Sequence, residues 1–424
     1  MSPSSIRIRM YQVGFGDCFL LSFNYATGGK HLLIDFGTVA MPKDQPKVSL
    51  AAIAKDIHDT VNGEPFSVVA THRHADHICG FDPGTNGNGT GAVIASLEPE
   101  LVVQPWTEQL DLPVDAKQPS ALKGARAHQK TLEGLQSIAR QVLDVDVKRL
   151  KRSQGLSALV NELGFIGEDN IANPGAVNNL AKMGKKNEYL YFGKKTQLES
   201  FLPGVTIHVL GPPTLTQHAA IKNEKGTDAN EFWNLKLRAL GLTSNAVRDK
   251  KAAASSKTWK QTTGGKAPTW ARWVVKALRR AHGDQTLQLV RSLDKAMNNT
   301  SVILLFECGD LKLLFPGDAQ IENWEYALSQ PDVLKLLQGV SVYKVGHHGS
   351  TNATPKTLWN NWFPAGSKAK AKASRMAAFM STMPTGKYPS VPKDKLVTAL
   401  TAWARLSTTN GYDGLYVEET FAPT

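Results

Sequence analysis

Between Thr71 and His77 the chain places three imidazoles and a carboxylate, in the run Thr71-His72-Arg73-His74-Ala75-Asp76-His77, directly after the apolar stretch Phe66-Ser67-Val68-Val69-Ala70. A loop at a strand end aims alternate side chains at one place, and polar groups gathered beside a buried strand need partners. Neutral imidazole and carboxylate are first-choice ligands for zinc, manganese or iron. The spacing lets His72 and His74 hold one ion while Asp76 and His77 hold a second.

The elements around this run read as two β-rich halves with helices outside. Ile6, Ile8 and Met10 alternate with Arg7 and Arg9, the period-two sign of a half-buried strand. Cys18–Leu21 and His31–Ile34 are further strands with a turn expected at Gly28-Gly29, and Leu50–Ile57 has helical spacing. Late in the chain Ser301–Glu307 and Leu311–Phe315 are strands around Cys308-Gly309-Asp310. Ile321, Trp324 and Leu328 then fall at helical spacing, and Val342–Val345 and Met376–Phe379 are strands. Strands followed by helices, twice over, predict a layered α/β architecture. The expected organisation is one half in 1–106, the other in 291–424, and mostly helical basic insertions in 107–290, interrupted by a body strand near 205–213.

Charge supports that division. Residues 111–290 hold 28 Lys and Arg against 15 Asp and Glu, a net of +13, and the remainder of a chain of net charge +12 is close to neutral. A basic segment on a neutral body points to an anionic substrate or partner, nucleic acid among them; a plainly solvated surface is the competing explanation. Within it, Trp270, Trp273, Val274, Ala277, Leu278 and Ala281 recur at helical spacing, with Arg272, Lys276, Arg279 and Arg280 on other faces. Those four cations are candidates for a phosphate-binding rim. Three scattered cysteines, Cys18, Cys79 and Cys308, do not make a disulfide framework. No apolar run approaches the roughly 18 residues of a membrane span, and the start lacks the apolar core of a signal peptide. A cytoplasmic protein with no membrane partner is expected.

Two more strand ends carry chemistry-bearing residues. Phe315-Pro316-Gly317-Asp318 puts an acid just after an apolar strand, where it is costly unless paired or liganded. Lys344-Val345-Gly346-His347-His348-Gly349-Ser350 ends another strand in histidines.

Taken in order, these motifs resemble the metallo-β-lactamase superfamily, and more closely its branch related to the nuclease domain of competence proteins and to the choline-phosphate esterases. Gln12-Val13-Gly14-Phe15-Gly16-Asp17 is similar to that branch's opening motif, and Leu33-Ile34-Asp35-Phe36-Gly37 to its second strand. Thr71–His77 is similar to the T-H-x-H-x-D-H signature, Asn298–Val302 to N-N-x-S-L, Pro316-Gly317-Asp318 to G-D, and His347–Ser350 to H-H-G-S. The resemblance covers about 1–106 and 290–424, with 205–213 included.

It implies a four-layer αββα sandwich with helical basic insertions, holding two divalent metal ions, zinc foremost, with manganese or iron as alternatives. His72 and His74 would ligate the first ion and Asp76 and His77 the second. Asp318 would bridge, and His347 would supply a further ligand, with His348 beside it or behind it. Asp35 would orient ligands, Asp17 would shape the opposite loop, and Asn299 would stand near the site. The sequence departs from the branch in two places. Asn298-Asn299 aligns where many members have another metal-binding histidine, and Gly386-Lys387-Tyr388-Pro389-Ser390 stands where the branch has G-H-P-H-P. Lys387 or Tyr388 would then lie near the substrate. The implied activity is hydrolysis by a metal-activated water, with Asp76 and Asp318 central to it. A phosphodiesterase or nuclease acting on nucleic acid or a nucleotide-like ester comes first. A hydrolase of a small ester, lactone or amide, and a metal-bearing binding or regulatory module without catalysis, remain as alternatives.

Overall fold

A computed structural model of the protein describes residues 2–109, 118–119, 173–214, 216–218, 298–369, 371, 375–386, 388 and 391–424. Within them, β1 (Ser5–Tyr11), β2 (Cys18–Tyr25), β3 (Gly28–Phe36), β4 (Phe66–Val69), β5 (Val102–Pro105), β6 (Asn187–Leu190) and β13 (Tyr416–Phe421) form one sheet. The other holds β7 (Thr206–Gly211), β8 (Ile303–Cys308), β9 (Leu311–Phe315), β10 (Val342–Lys344), β11 (Ala377–Met380) and β12 (Arg405–Thr408). The orders are β13-β1-β2-β3-β4-β5-β6 and β12-β11-β10-β9-β8-β7. Both sheets are mixed, antiparallel from β13 to β3 and from β7 to β9, and parallel along β3–β6 and β9–β12.

Side-chain alternation decides which face each strand buries. In β1, Ile6, Ile8 and Met10 are buried while Arg7 and Arg9 are only half-buried. The inward set joins a core shared by the two sheets, in which Phe19 meets Phe315 edge-on at 5.7 Å and Phe23 meets Phe306 at 6.3 Å. The opposite face of the first sheet packs Leu20, Leu33, Val68 and Val102 against Ile53 and Ile57 of α1 (Leu50–Val61). That helix starts where the Ser49 side chain accepts the Ala52 N–H, and it stops at Asn62 in the left-handed region. The outer face of the second sheet packs Leu305, Leu314 and Tyr343 with Trp324, Leu396 and Leu400 from its own covering helices. Two mixed sheets sharing a core, with helices on their outer faces, are compatible with the expected α/β sandwich.

Several segments differ from the sequence reading in their bounds. The β2–β3 turn falls on Ala26-Thr27, and Gly28 opens β3 at φ +124°. The described chain resumes at Asn173, inside the stretch assigned to insertion, and Pro174–Leu180 forms a helix burying Ala176, Val177 and Leu180 in the first sheet's outer core. β6 then extends that sheet by pairing with β5. Strands β12 and β13 carry little apolar periodicity and went unforeseen. Among the described residues, no helix is long and apolar enough to cross a membrane.

The topology fixes where a site can form. Thr71–His77 follow β4, Asp318 follows β9, His347-His348 follow β10 and Ser381 follows β11, so the carboxyl ends of parallel strands from both sheets meet at one rim. Ligand sites in open α/β sheets form outside such strand ends.

Candidate metal centre

Asp35 anchors the histidine loop. It sits near the end of β3 at φ +58°, a left-handed conformation that aspartate tolerates better than most residues. Its Oδ1 accepts the Thr71 N–H at 2.7 Å, and its Oδ2 accepts the Thr71 hydroxyl at 2.7 Å and faces His77 Nδ1 at 2.8 Å. The Val302 N–H donates to Thr71 O at 2.9 Å, which ties the loop to the second sheet. Gly16 and Gly37 permit close stacking of loops. A Cβ on Gly37 would lie 2.4 Å from Ala75 O and 2.5 Å from His77 N, and one on Gly16 would lie 2.2 Å from Gly37 O.

The second sheet brings its groups to the same spot. Gly317 turns at φ +54°, and Asp318 N–H then donates to Ser301 Oγ at 3.3 Å. His347 and His348 are both left-handed, at φ +45° and +52°. That turn buries His348, whose Nδ1 meets Ser381 O at 3.1 Å and whose Nε2 lies 3.1 Å from Asp76 Oδ2 and 3.4 Å from Asp318 Oδ2. His77 Nε2 lies 3.1 Å from Asp318 Oδ2. Asp76, His77, Asp318 and His348 thus offer one ligand atom each within 4.8 Å of one another, all from buried residues. Two atoms bound tetrahedrally to one zinc at about 2.0–2.2 Å stand about 3.3–3.6 Å apart; the three close pairs, at 3.1, 3.1 and 3.4 Å, come near that spacing without an ion. Asp76 Oδ1 is buried without a hydrogen-bond partner. These residues fit a divalent cation.

Charge tells the same story. Burial alone would strip a proton from His77, but Asp318, Asp35 and Asp76 outweigh it and hold the imidazole well above its usual value. His348 is likewise disfavoured by burial yet raised to about 10 by Asp318 and Asp17. Burial would raise Asp76 and Asp318, but the facing histidines pull Asp76 down to about 2 and Asp318 well below the carboxylate range. Such a constellation attracts positive charge, a proton or a metal. His72 differs: burial, then His77 and His74, hold it well below the usual histidine value, the form a metal ligand needs.

The other predicted residues divide. His72 Nε2 lies 3.0 Å from His74 Nδ1, which lies 3.1 Å from Asn298 Oδ1. It is therefore Asn298 that reaches His74, while the buried Oδ1 of neighbouring Asn299 has no hydrogen-bond partner. The four-residue group contains His348 rather than His347. His347 sits at the edge with its side chain 26% exposed and Nε2 3.9 Å from Asp318 Oδ2, and its N–H donates to Asp318 Oδ1 at 3.1 Å. A left-handed residue pair sends successive side chains to different sides, which residue types alone did not reveal. Tyr388 stacks on Phe15 at 4.8 Å, and Phe15 lies 4.5 Å from the His348 ring, so one ring stands between Tyr388 and the cluster. Lys387, Arg272, Lys276, Arg279 and Arg280 lie outside the described residues.

Lys344 carries more than the sequence reading assigned to it. It ends β10, is buried, and contacts Asp17, Asp318 and Gly317 O. The available signal was a lone cation in Val342-Tyr343-Lys344-Val345, since a charge in a buried strand requires a partner. Asp17 stands behind the centre, 3.7 Å from His77 Nδ1 and 3.6 Å from His348 Nδ1. Beside Ala75 a cleft of about 510 Å³ opens, lined by Thr38, Val39, Ala40, Met41, Ala75, Cys79 and Asn173. Burial raises the Cys79 thiol there to about 11, so it is a poor nucleophile. No family model matches the chain, and comparison with curated proteins gives no match.

Proposed function

We propose that this chain is a metal-dependent hydrolase of the metallo-β-lactamase fold, acting on phosphodiesters of nucleic acid or a nucleotide-like ester. The observation that carries the reading is the meeting of Asp76, His77, Asp318 and His348, from three separate segments, at one buried point beneath a strand-end rim. The order of motifs along the sequence and the layered architecture support the fold, and the excess positive charge of 111–290 supports an anionic substrate.

Asp76, His77, Asp318 and His348 would hold a divalent ion, which would supply Lewis acidity for activating water and for neutralising charge on an ester oxygen. The residues behind the ligands set their orientation. Asp35 accepts from His77 Nδ1 and Ser381 O from His348 Nδ1, so each imidazole turns Nε2 inward, where a metal ion would take the place of the Nε2 proton. Asp318 receives the His347 N–H and the Lys344 ammonium on Oδ1 and directs Oδ2 at the histidines. His347, at the open edge, is placed to hold or pass a proton at Nε2. His72 and His74 extend the donor set toward Asn298.

The reading is tested by loading metal-stripped protein with zinc or manganese and offering bis(p-nitrophenyl) phosphate, single- and double-stranded DNA, RNA, cyclic nucleotides and p-nitrophenyl acetate. Metal-dependent turnover of the phosphodiesters, lost in Asp318→Ala, is the expected result. Turnover of the acetate alone would move the substrate to neutral esters. Metal binding without any turnover would make the chain a binding module.

A further inference from the structure

We propose that Lys344 acts as a built-in cation that fills part of the role of a second metal, so that the centre holds one divalent ion tightly and a second only weakly. The inference rests on the metal-centre reading and concerns how many ions these residues take.

Lys344 is a positioning residue. Its side chain is 3% exposed, its Nζ donates to Gly317 O at 3.1 Å, lies 3.4 Å from Asp318 Oδ1, and pairs with Asp17 Oδ2. With the His347 N–H also on Asp318 Oδ1, that oxygen is committed on two sides. Only Oδ2 is left to face the imidazoles.

The two halves of the donor set are unequal. Asp76, His77, Asp318 and His348 bring two carboxylates and two imidazoles to one point. Among the described residues, His72 and His74 belong to no such group, and the oxygen next to them is the neutral amide of Asn298 at 3.1 Å from His74 Nδ1. An uncharged amide oxygen holds a transition-metal ion less well than imidazole or carboxylate.

Charge balance points the same way. Asp17, Asp35, Asp76 and Asp318 are buried together, and Lys344 is the ammonium among them. With neutral imidazoles, the four carboxylates and Lys344 sum to a net negative charge that one divalent ion more than halves without reversing; only without Lys344 would two ions just balance the carboxylates. A second would leave an excess of positive charge in a buried place, which is costly until an anion arrives. If Lys344 were apolar, the set would have room for that second charge.

The experiment is a zinc titration of chelator-stripped, full-length protein by calorimetry, with elemental analysis after dialysis. It compares wild type, Lys344→Met and Lys344→Gln, each first shown to be folded by its unfolding transition. The glutamine removes the charge but keeps an N–H donor for Asp17 and Gly317 O, so it tests the charge even if the methionine, which strands Asp17, does not fold. We expect one tight ion in the wild type, with a second about 100-fold weaker or more, and a second site tightened by about 10-fold or more in the variants, the range in which groups behind ligands act. A merely structural lysine could lower metal content but would not raise it. Two equally tight ions in the wild type would overturn the inference and leave the metal-centre reading intact. One ion in the wild type and in a folded Lys344→Met or Lys344→Gln variant would overturn the role of Lys344. Absence of any bound ion would sink the metal-centre reading itself.

Discussion

Replacing Asp35 by alanine and by asparagine separates what this carboxylate does for the fold from what it does for the metal. In the native chain it serves the Thr71 N–H and hydroxyl at 2.7 Å each and His77 Nδ1 at 2.8 Å. Asp35→Ala strips all three. The hydroxyl can turn to His72 Nδ1, 3.2 Å away, but the Thr71 N–H and His77 are left buried without a partner. Two unsatisfied buried groups at about 1–3 kcal/mol each put the loss at about 2–6 kcal/mol. Asp35→Asn keeps an oxygen for the Thr71 N–H and tolerates φ +58°, so its stability loss should be near 1 kcal/mol. Its amide NH2, however, faces His77 Nδ1. The imidazole then accepts there and carries its proton on Nε2, the atom turned to Asp318 Oδ2. Metal affinity should fall about 10–100-fold in both variants. Urea unfolding midpoints read the first quantity, and competition with a chromogenic zinc chelator reads the second. Wild-type zinc affinity in a folded Asp35→Asn variant would refute the argument that Asp35 presents His77 Nε2 to the ion.

Three further outcomes follow from the described structure and a fourth from the sequence. Gly37→Ala should destabilise by about 1–3 kcal/mol and weaken zinc binding with it, because the added Cβ meets backbone atoms of Ala75 and His77; unchanged melting and affinity would show that these loops yield freely. Glu108→Ala should cost about 3–5 kcal/mol in urea unfolding, since it strands the Arg73 guanidinium that Glu108 holds at 2.6–3.1 Å. Burial holds His31 below its usual value even though Glu64 pulls the other way, so the unfolded chain gains a proton there before the native one does; stability should fall as pH drops below about 6.5, and His31→Gln should flatten that part of the pH profile of urea midpoints. Replacing Arg272, Lys276, Arg279 and Arg280 by Gln should lower the salt slope of nucleic-acid binding by about 0.7–0.9 per lost phosphate contact and leave hydrolysis of a small phosphodiester unchanged; an unaltered slope would remove these four from the nucleic-acid surface.

Strong periodicity and strong chemistry were the parts legible in the sequence. Ile6, Ile8 and Met10 announced an inward strand face, and β8, β9 and β10 stood out as mostly apolar runs because residues on both their faces are buried. Thr71–His77 announced ligands because no apolar environment accepts so many polar groups unpaired. Weak elements did not announce themselves. Every residue of β12 is half-buried, and β13 alternates half-buried with exposed positions, so neither carries the contrast that periodicity needs. The inward turn of His348 relative to His347 depends on two consecutive left-handed residues, a backbone property that residue types do not encode. Lys344 reads as an interruption in a strand until Asp17 and Asp318, distant in sequence, are brought beside it.

The central claim is that Asp76, His77, Asp318 and His348 form a metal centre. The most direct measurement is zinc binding to chelator-stripped wild type, Asp76→Ala and Asp318→Ala proteins, each first shown to be folded by its unfolding transition. The account predicts at least one ion bound by the wild type at submicromolar free zinc, and its loss or a weakening of about 100-fold or more when either carboxylate is removed. No binding by the wild type at micromolar zinc, or binding that both variants retain in full, would contradict it.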